Sequence, residues 1–496
     1  MSGLLILGYL VIIAILFLAH ERYARLISII GGSILGLFSA FLFGKFWLFG
    51  DNSLYSLNIL IDYTFRVDNF NAALILLNGV ITFAVPLATH IKEKERDFYI
   101  LTFTVLLGTT GLFLTQNIIL FVLFYELASV PMYFLIAKWG SWGITPYRNV
   151  SHNFAAWKLF LYLQLGGVLV MISFFILHSI AFGSDILVGW NFSDYEQLLK
   201  QNNKIVSDQT LALILFMLFF IAFGIEAALV PFHTWLPDGH SAAPSSISMI
   251  LAGVLLKMGT YGILRVPIVF FPDITVQYGI VLIIFGIVNL LYGAFNAFRQ
   301  VDIKYLIAYS SISHMGIVFI GLGAGNDMGI AAATFQMVSH GLISALLFSI
   351  AGSIQYRTNT RLIENYGGLL RVIPFIGTML VTACMANLGL PGLSGFVAEL
   401  FSMSALVQKL SLNPLSITLV IISLVGIFMT AVYMLNLIDR TLYRTTNPLY
   451  ASLKDADWDE KLHMLVISGL ILILGIYPYL ITEFSTLSKI KQLIGM

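Results

Sequence analysis

Residues 226–265 read EAALVPFHTWLPDGHSAAPSSISMILAGVLLKMGTYGILR. An acid, Glu226, stands in an apolar run that two prolines, Pro231 and Pro237, interrupt. A polar hinge of Asp238, Gly239 and His240 follows, and the second apolar run holds one lysine, Lys257. Apolar runs of this length are long enough to cross a bilayer, where an ionised side chain is costly. Burial penalises both the carboxylate and the ammonium, and a nearby opposite charge offsets that penalty. A pair that opens and closes is therefore a proton switch in principle. The plainer reading is a static ion pair holding two helices together.

The rest of the chain has the same character. Of 496 residues, 59% are hydrophobic and 10% charged, against about 25% charged in soluble proteins. The mean hydropathy is +0.92. The chain reads as an all-α polytopic membrane protein. A net charge of +1 offers nothing for nucleic acid to recognise. The single cysteine, Cys384, excludes an intrachain disulfide and any cysteine-held cluster or zinc site within the chain. No glycine-rich nucleotide motif sits at a strand–helix turn. No cofactor or metal site is expected here. Basic residues follow the first apolar run instead of preceding it, so that run reads as a membrane helix and not as a cleavable signal.

Apolar runs fall near 2–19, 26–49, 70–90, 99–115, 117–137, 155–181, 210–231, 243–271, 276–299, 301–322, 328–355, 374–405, 413–438 and 462–485. They predict about fourteen transmembrane helices in a single membrane domain, 1–496. Basic residues sort by alternate loops. One set holds Arg22 and Arg25, then Lys92, Lys94 and Arg96, then Lys138 and Arg148, and then Arg299 and Lys304. It continues with Arg357, Arg361 and Arg371, and ends with Arg440, Arg444, Lys454 and Lys461. The other set is poorer and includes Asp185, Asp194, Glu196 and Asp208. The positive-inside rule places the first set in the cytoplasm or its equivalent and both termini opposite.

Two of the predicted helices look broken. The seventh carries Pro231 and Pro237, and the twelfth carries Gly389-Leu390-Pro391-Gly392. Non-helical segments are expected at about 230–240 and 389–393, lining a cavity or packed against protein. Breaks in corresponding positions point to two inverted five-helix repeats, about 99–271 and 276–438.

The remaining ionisable groups of the series are Glu126, Lys158, Lys304, His314, His340 and Glu399, joining Glu226 and Lys257. Gln336, His340 and Ser344 share a helix face by their spacing. Each has a plainer reading. Glu126 can be a hydrogen-bonded structural acid, and Lys158 can snorkel to the interface. Each histidine can be a satisfied core residue, Glu399 an interfacial acid, and Lys304 a mark of the cytoplasmic boundary. Taken together, the groups are too dispersed for one pocket and fit a polar path along the membrane plane.

These residues resemble the antiporter-like membrane subunits of complex I, shared with cation/proton antiporters and membrane-bound hydrogenases. The motifs are LFYELASVPMYFLI, KLFLYLQLGG, VPFHTWLPDGHSAAPSSISMILAGVLLKMGTYGILR, DIKYLIAYSSISHMG, QMVSHGLISALLF and GLPGLSGFVAE. Within that family they look most like the NADH dehydrogenase subunit 4 type, and within that type like its cyanobacterial and plastid branch. The resemblance implies fourteen helices, paired broken helices and proton translocation driven by a distant quinone reaction. It implies membrane and hydrophilic partner subunits that hold the quinone and iron–sulfur clusters, and a lipid surround. The membrane implied is a cyanobacterial thylakoid or a bacterial plasma membrane. It carries over Glu126 as the fifth-helix acid, Lys257 as the central lysine, His314 and His340 as relay members and Glu399 as the terminal acid.

One position departs. The family usually has a lysine seven residues before the histidine of PxHxWLPD, and here that residue is Glu226. Glu126 then faces an acid, and two carboxylates about 4 Å apart repel by roughly 4 kcal/mol at an effective dielectric of 20. One of them is expected to hold a proton. The exchange suggests a specialised complex, such as a carbon dioxide-uptake variant of the cyanobacterial branch. Two other readings are a subunit of a multi-component sodium/proton antiporter and a scaffold subunit that no longer conducts.

Overall fold

A membrane-buried segment has no water to satisfy its backbone, so each apolar run closes its hydrogen bonds within itself as a helix. The computed structural model describes residues 1–50, 65–145, 149–183, 189–200, 208–410 and 414–484. Arg148 and Asp185 of the loop pattern lie outside them. The first helices are α1 Ser2–Leu18, α2 Ala24–Phe49, α3 Ala72–Leu87, α4 Glu95–Leu114, α5 Ile118–Trp139, α6 His152–Phe182 and α7 Gln209–Glu226. After a break come α8 Trp235–Ala242 and α9 Ser245–Ile268. Then follow α10 Pro272–Phe298, α11 Ile303–Ala324, α12 Asp327–Thr358, α13 Pro374–Asn387, α14 Ser394–Leu410, α15 Pro414–Ile438 and α16 Trp458–Ile476. The described strands are one short antiparallel pair, Gly143–Ile144 with Asn149–Val150.

Ten helices among the described residues are long and apolar enough to cross a membrane. α1, α3 and α13 are shorter apolar helices. The helices differ in what surrounds them. The most apolar windows of α9 and α12 are 100% buried, whereas that of α2 is 39% buried. α9, α11 and α12 thus form the centre, and α2, α6 and α15 turn Leu, Ile and Phe side chains outward. Polarity follows this order. Gln336, Ser339, His340, Ser344, Ser349 and Ser353 all lie on buried α12. Polar side chains in a spanning helix are expected to face protein rather than lipid. α10 approaches α11 closely through small residues, and a Cβ added at Gly286 would lie 2.6 Å from the Gly316 carbonyl oxygen.

Both breaks occur, with shifted limits. The first runs 227–234, not 230–240. α7 stops at Glu226, ahead of Pro231, and Ala228 takes a left-handed φ of +56°. Pro237 does not end a helix. It lies in the first turn of α8, where a missing N–H costs little. The backbone groups freed by the break find partners on α10. Val230 N–H donates to Asn289 Oδ1 at 2.8 Å, and Asn289 Nδ2 donates to Ala228 O at 3.0 Å. The second break, 388–393, carries Gly389 and Gly392 at φ +76° and +94°, a region that glycine enters without strain. A feature without a sequence expectation is in α9. Two of its stretches, Leu251–Leu255 and Leu264–Ile268, are π turns.

Candidate functional site

The centre of the site is Lys257, 0% exposed on α9. It lies just after the first π turn, in which the Leu256 N–H reaches Leu251 O. Lys257 Nζ donates to the Ala252 carbonyl within that turn. It also bonds His340 Nδ1 on α12 at 2.7 Å. The His340 ring lies 5.5 Å from that of His314 on α11, and His314 Nδ1 bonds Gln336 Nε2 at 3.1 Å. Ser344 Oγ, one turn along the same face of α12, donates to His340 O at 2.6 Å. A lysine, two histidines and an amide thus form two hydrogen-bonded pairs whose histidine rings face each other across three buried helices. His240 lies close enough to Lys257 and Lys304 to feel their charges. It is fully buried, stacks on Phe348 at 4.7 Å, and neither ring nitrogen has a hydrogen-bond partner among the described residues. Within the opening stretch it reads only as part of the hinge.

Lys158 does not snorkel, nor does it reach Glu126 or Glu226. It pairs with Asp238 Oδ2 at 2.8 Å, and Tyr305 Oη donates to the other Asp238 oxygen at 2.8 Å. Lys304 is also more than a boundary mark. It is 1% exposed and its Nζ donates to Ala243 O at 3.0 Å. Next to it Arg361 Nε pairs with Asp302 Oδ2 at 3.2 Å, and the same guanidinium donates to the Ser241 and Trp142 carbonyls. These groups tie the hinge to α6 and α11. The physical reason is shared: a cation that loses much of its hydration takes carboxylate and carbonyl partners to offset the loss. Sequence reasoning missed Asp238 as Lys158's partner, and it missed Asn289. Asp238 was visible only as a hinge polar residue, and Asn289 only as an amide in an apolar run.

Three acids lie outside this set of hydrogen bonds. Glu226 closes α7 fully buried, and neither carboxylate oxygen has a hydrogen-bond partner among the described residues. Glu126 on α5 is half-buried. It accepts from Gln164 Nε2 at 2.5 Å and borders an apolar groove of about 320 Å³ with Val122, Leu123, Met171 and Phe174. Glu399 on α14 is buried within the protein, with Oε1 unpartnered among the described residues. Its Oε2 fills the space where a Cβ on Gly389 would sit. Ser394 Oγ, at the start of α14, accepts from Ser339 Oγ on α12 at 2.8 Å. Among the described residues no group of three or more His, Cys, Asp or Glu side chains is arranged to hold a metal ion.

The profile of the family described as "NADH:quinone oxidoreductase/Mrp antiporter, TM" matches residues 115–430, the span that holds these residues and both breaks. The chain belongs to that family. As a member of this antiporter family it is an integral membrane protein. Among its relatives is the "NAD(P)H-quinone oxidoreductase chain 4 2" of Thermosynechococcus vestitus, 36% identical over 85% of this chain and 76% of the relative. The "NAD(P)H-quinone oxidoreductase chain 4 1" of a Synechococcus strain is 35% identical over 97% of this chain and 90% of the relative. The fold is shared with a chain of respiratory complex I from Thermus thermophilus, at TM-score 0.83, 24% identity and coverage of 98% and 99%. It is also shared with a chain of the Mrp complex from Dietzia, at TM-score 0.80, 18% identity and coverage of 98% and 96%.

Proposed function

We propose that this chain conducts protons along the membrane plane as an antiporter-like subunit of a complex I-type quinone oxidoreductase. The observation that carries this is the 2.7 Å contact of Lys257 Nζ with His340 Nδ1 inside helices shielded on all sides. The hydrogen bond gives a proton on Lys257 a direct route to a histidine that can accept it. Glu126, Glu226, His314 and Glu399 extend the path, while Lys158 acts on it through Asp238. The chain supplies no redox centre. Quinone and iron–sulfur clusters belong to partner subunits, membrane and hydrophilic, and lipid covers the outward faces. The same reading includes one membrane domain of fourteen spans in two inverted repeats, about 99–271 and 276–438. It places the complex in a thylakoid membrane or a bacterial plasma membrane. The shared fold of the Dietzia Mrp chain supports a second reading, a subunit of a sodium/proton antiporter.

The test is Lys257→Ala in the assembled complex, with proton uptake by membrane vesicles followed during quinone reduction. Pumping should fall at least tenfold while the complex stays intact. Normal pumping by an intact variant complex rejects the proposal. The subunit inventory of the same particle separates the two readings, because quinone-reductase subunits accompany only the first. A carbon dioxide-hydrating partner in that inventory would support the carbon dioxide-uptake form, and a particle without one would reject it.

A further inference from the structure

Glu226 is a fully buried acid whose carboxylate oxygens have no hydrogen-bond partner among the described residues. The nearby bases are engaged elsewhere: Lys158 with Asp238, and Lys257 with His340 and Ala252 O. The Tyr125 hydroxyl of α5 is one of the polar groups that act on the Glu226 carboxyl. Tyr125 is also 0% exposed, and its oxygen has no hydrogen-bond partner of good geometry among the described residues. The next residue along α5 is Glu126, close enough for the two acids to act on each other by charge.

The helices around them are trimmed to make the space. On α6 a Cβ added at Gly166 would lie 3.0 Å from Tyr125 Oη, and one added at Gly167 would collide with Glu126 Oε1. On α9 a Cβ at Gly259 would lie 3.0 Å from Glu226 Cβ. Three glycines on two helices thus leave room for one tyrosine and two acids. Two carboxylates without a cation cannot both stay ionised in an apolar interior. Glu126 is only half-buried and has the amide of Gln164 to stabilise a negative charge, and Glu226, fully buried, has no such donor among the described residues. A hydroxyl beside a neutral carboxylic acid can both donate and accept.

We propose that Glu226, Tyr125 and Glu126 form a proton-holding site, with the proton on Glu226, the Tyr125 hydroxyl beside it and Glu126 as the carboxylate with which it exchanges. The bound species is one proton, and the pair carries a single negative charge whichever oxygen holds it. A site for a monovalent cation such as sodium would use the same oxygens and is the outcome to exclude. The role of the site in transport rests on the proton-conducting reading above. Its protonation state does not, so the test reads the carboxyl directly.

Difference infrared spectroscopy of the intact complex in membranes should show a neutral-carboxyl band that shifts on exchange into heavy water. The band should be lost in Glu226→Gln, retained in Glu399→Gln and shifted in Tyr125→Phe. It should not change when sodium replaces choline as the salt cation. A band unaffected by Glu226→Gln overturns the proposal, and so does a band removed by sodium. Should Glu226→Gln not assemble, Tyr125→Phe decides alone, since it removes one hydroxyl. An unshifted band there also overturns the site. Pumping lost in Lys257→Ala with this band absent from wild type would reject the site and leave the transport reading standing.

Discussion

Lys158 and Asp238 lie 80 residues apart in the chain and 2.8 Å apart in space. Removing one member of a buried pair leaves an uncompensated charge, at a cost of about 3–5 kcal/mol. Lys158 is partly open, 18% exposed, which reduces that to about 2 kcal/mol. Asp238→Ala is therefore expected to lower the thermal midpoint of the solubilised complex. The double variant Lys158→Met with Asp238→Leu should regain part of the loss, as followed by size-exclusion fluorescence after heating. A double variant less stable than Asp238→Ala alone would contradict the pairing. Asn289 supports a second prediction. Its amide serves both Val230 N–H and Ala228 O, and each buried orphan costs about 1–3 kcal/mol. Asn289→Ala should destabilise the first break and make 227–234 cleavable by protease, whereas cleavage as slow as in wild type would argue against its role. The identity of the ionisable residues was legible in the sequence, because a charge in an apolar run stands out by composition. Their partners were not, since Asp238, Ala243 O and Asn289 are brought together only by the packing of distant helices.

Among the elements, α16 is fastened to α12 by a charge the loop pattern treats only as a topology marker. Arg357 donates to both oxygens of Glu460, at 2.9 and 2.6 Å, and Ser353 Oγ donates to Glu460 at 2.6 Å. His90 Nε2 lies 3.3 Å from the same carboxylate. Arg357 and Glu460 are 8% and 2% exposed, so breaking the pair costs about 3–5 kcal/mol. Glu460→Ala should speed amide exchange in the first turns of α16 by roughly a hundredfold or more, with α9 unchanged, in mass-detected hydrogen exchange. Exchange no faster than wild type would show that the fastening carries no weight. The helices themselves were legible because each apolar run is a separate helix. Their ends were less so. Pro231 and Pro237 suggested that the helix breaks at the prolines, whereas the chain leaves the helix at Glu226, where Asn289 and Trp235 Nε1 take over its backbone groups. The π turns left no mark in the pattern, since one residue more per turn changes neither hydropathy nor length.

For the whole molecule, the alternation of basic loops gives a sidedness that labelling can check. Cys384 is fully buried, so single cysteines introduced elsewhere report against a silent background. Lys94→Cys should react with an impermeant maleimide only from the basic-loop side, and Asp208→Cys only from the other. Reaction of both from the same side would invert or void the topology. The central position of α9, α11 and α12 was partly readable, because these helices carry the histidines and serines that lipid disfavours. Which apolar helices enclose them was not readable, since outer faces and buried faces are alike in composition.

The two π turns of α9 have a mechanical consequence. Each is a lattice defect, an extra residue held in an otherwise regular coil, and Lys257 stands between the pair. Sliding one defect past residue 257 would swing that side chain about 100° around the axis without moving either end of the helix. The bearing of Lys257 toward His340 is therefore fixed by the placement of a dislocation as well as by the side chain's own torsions.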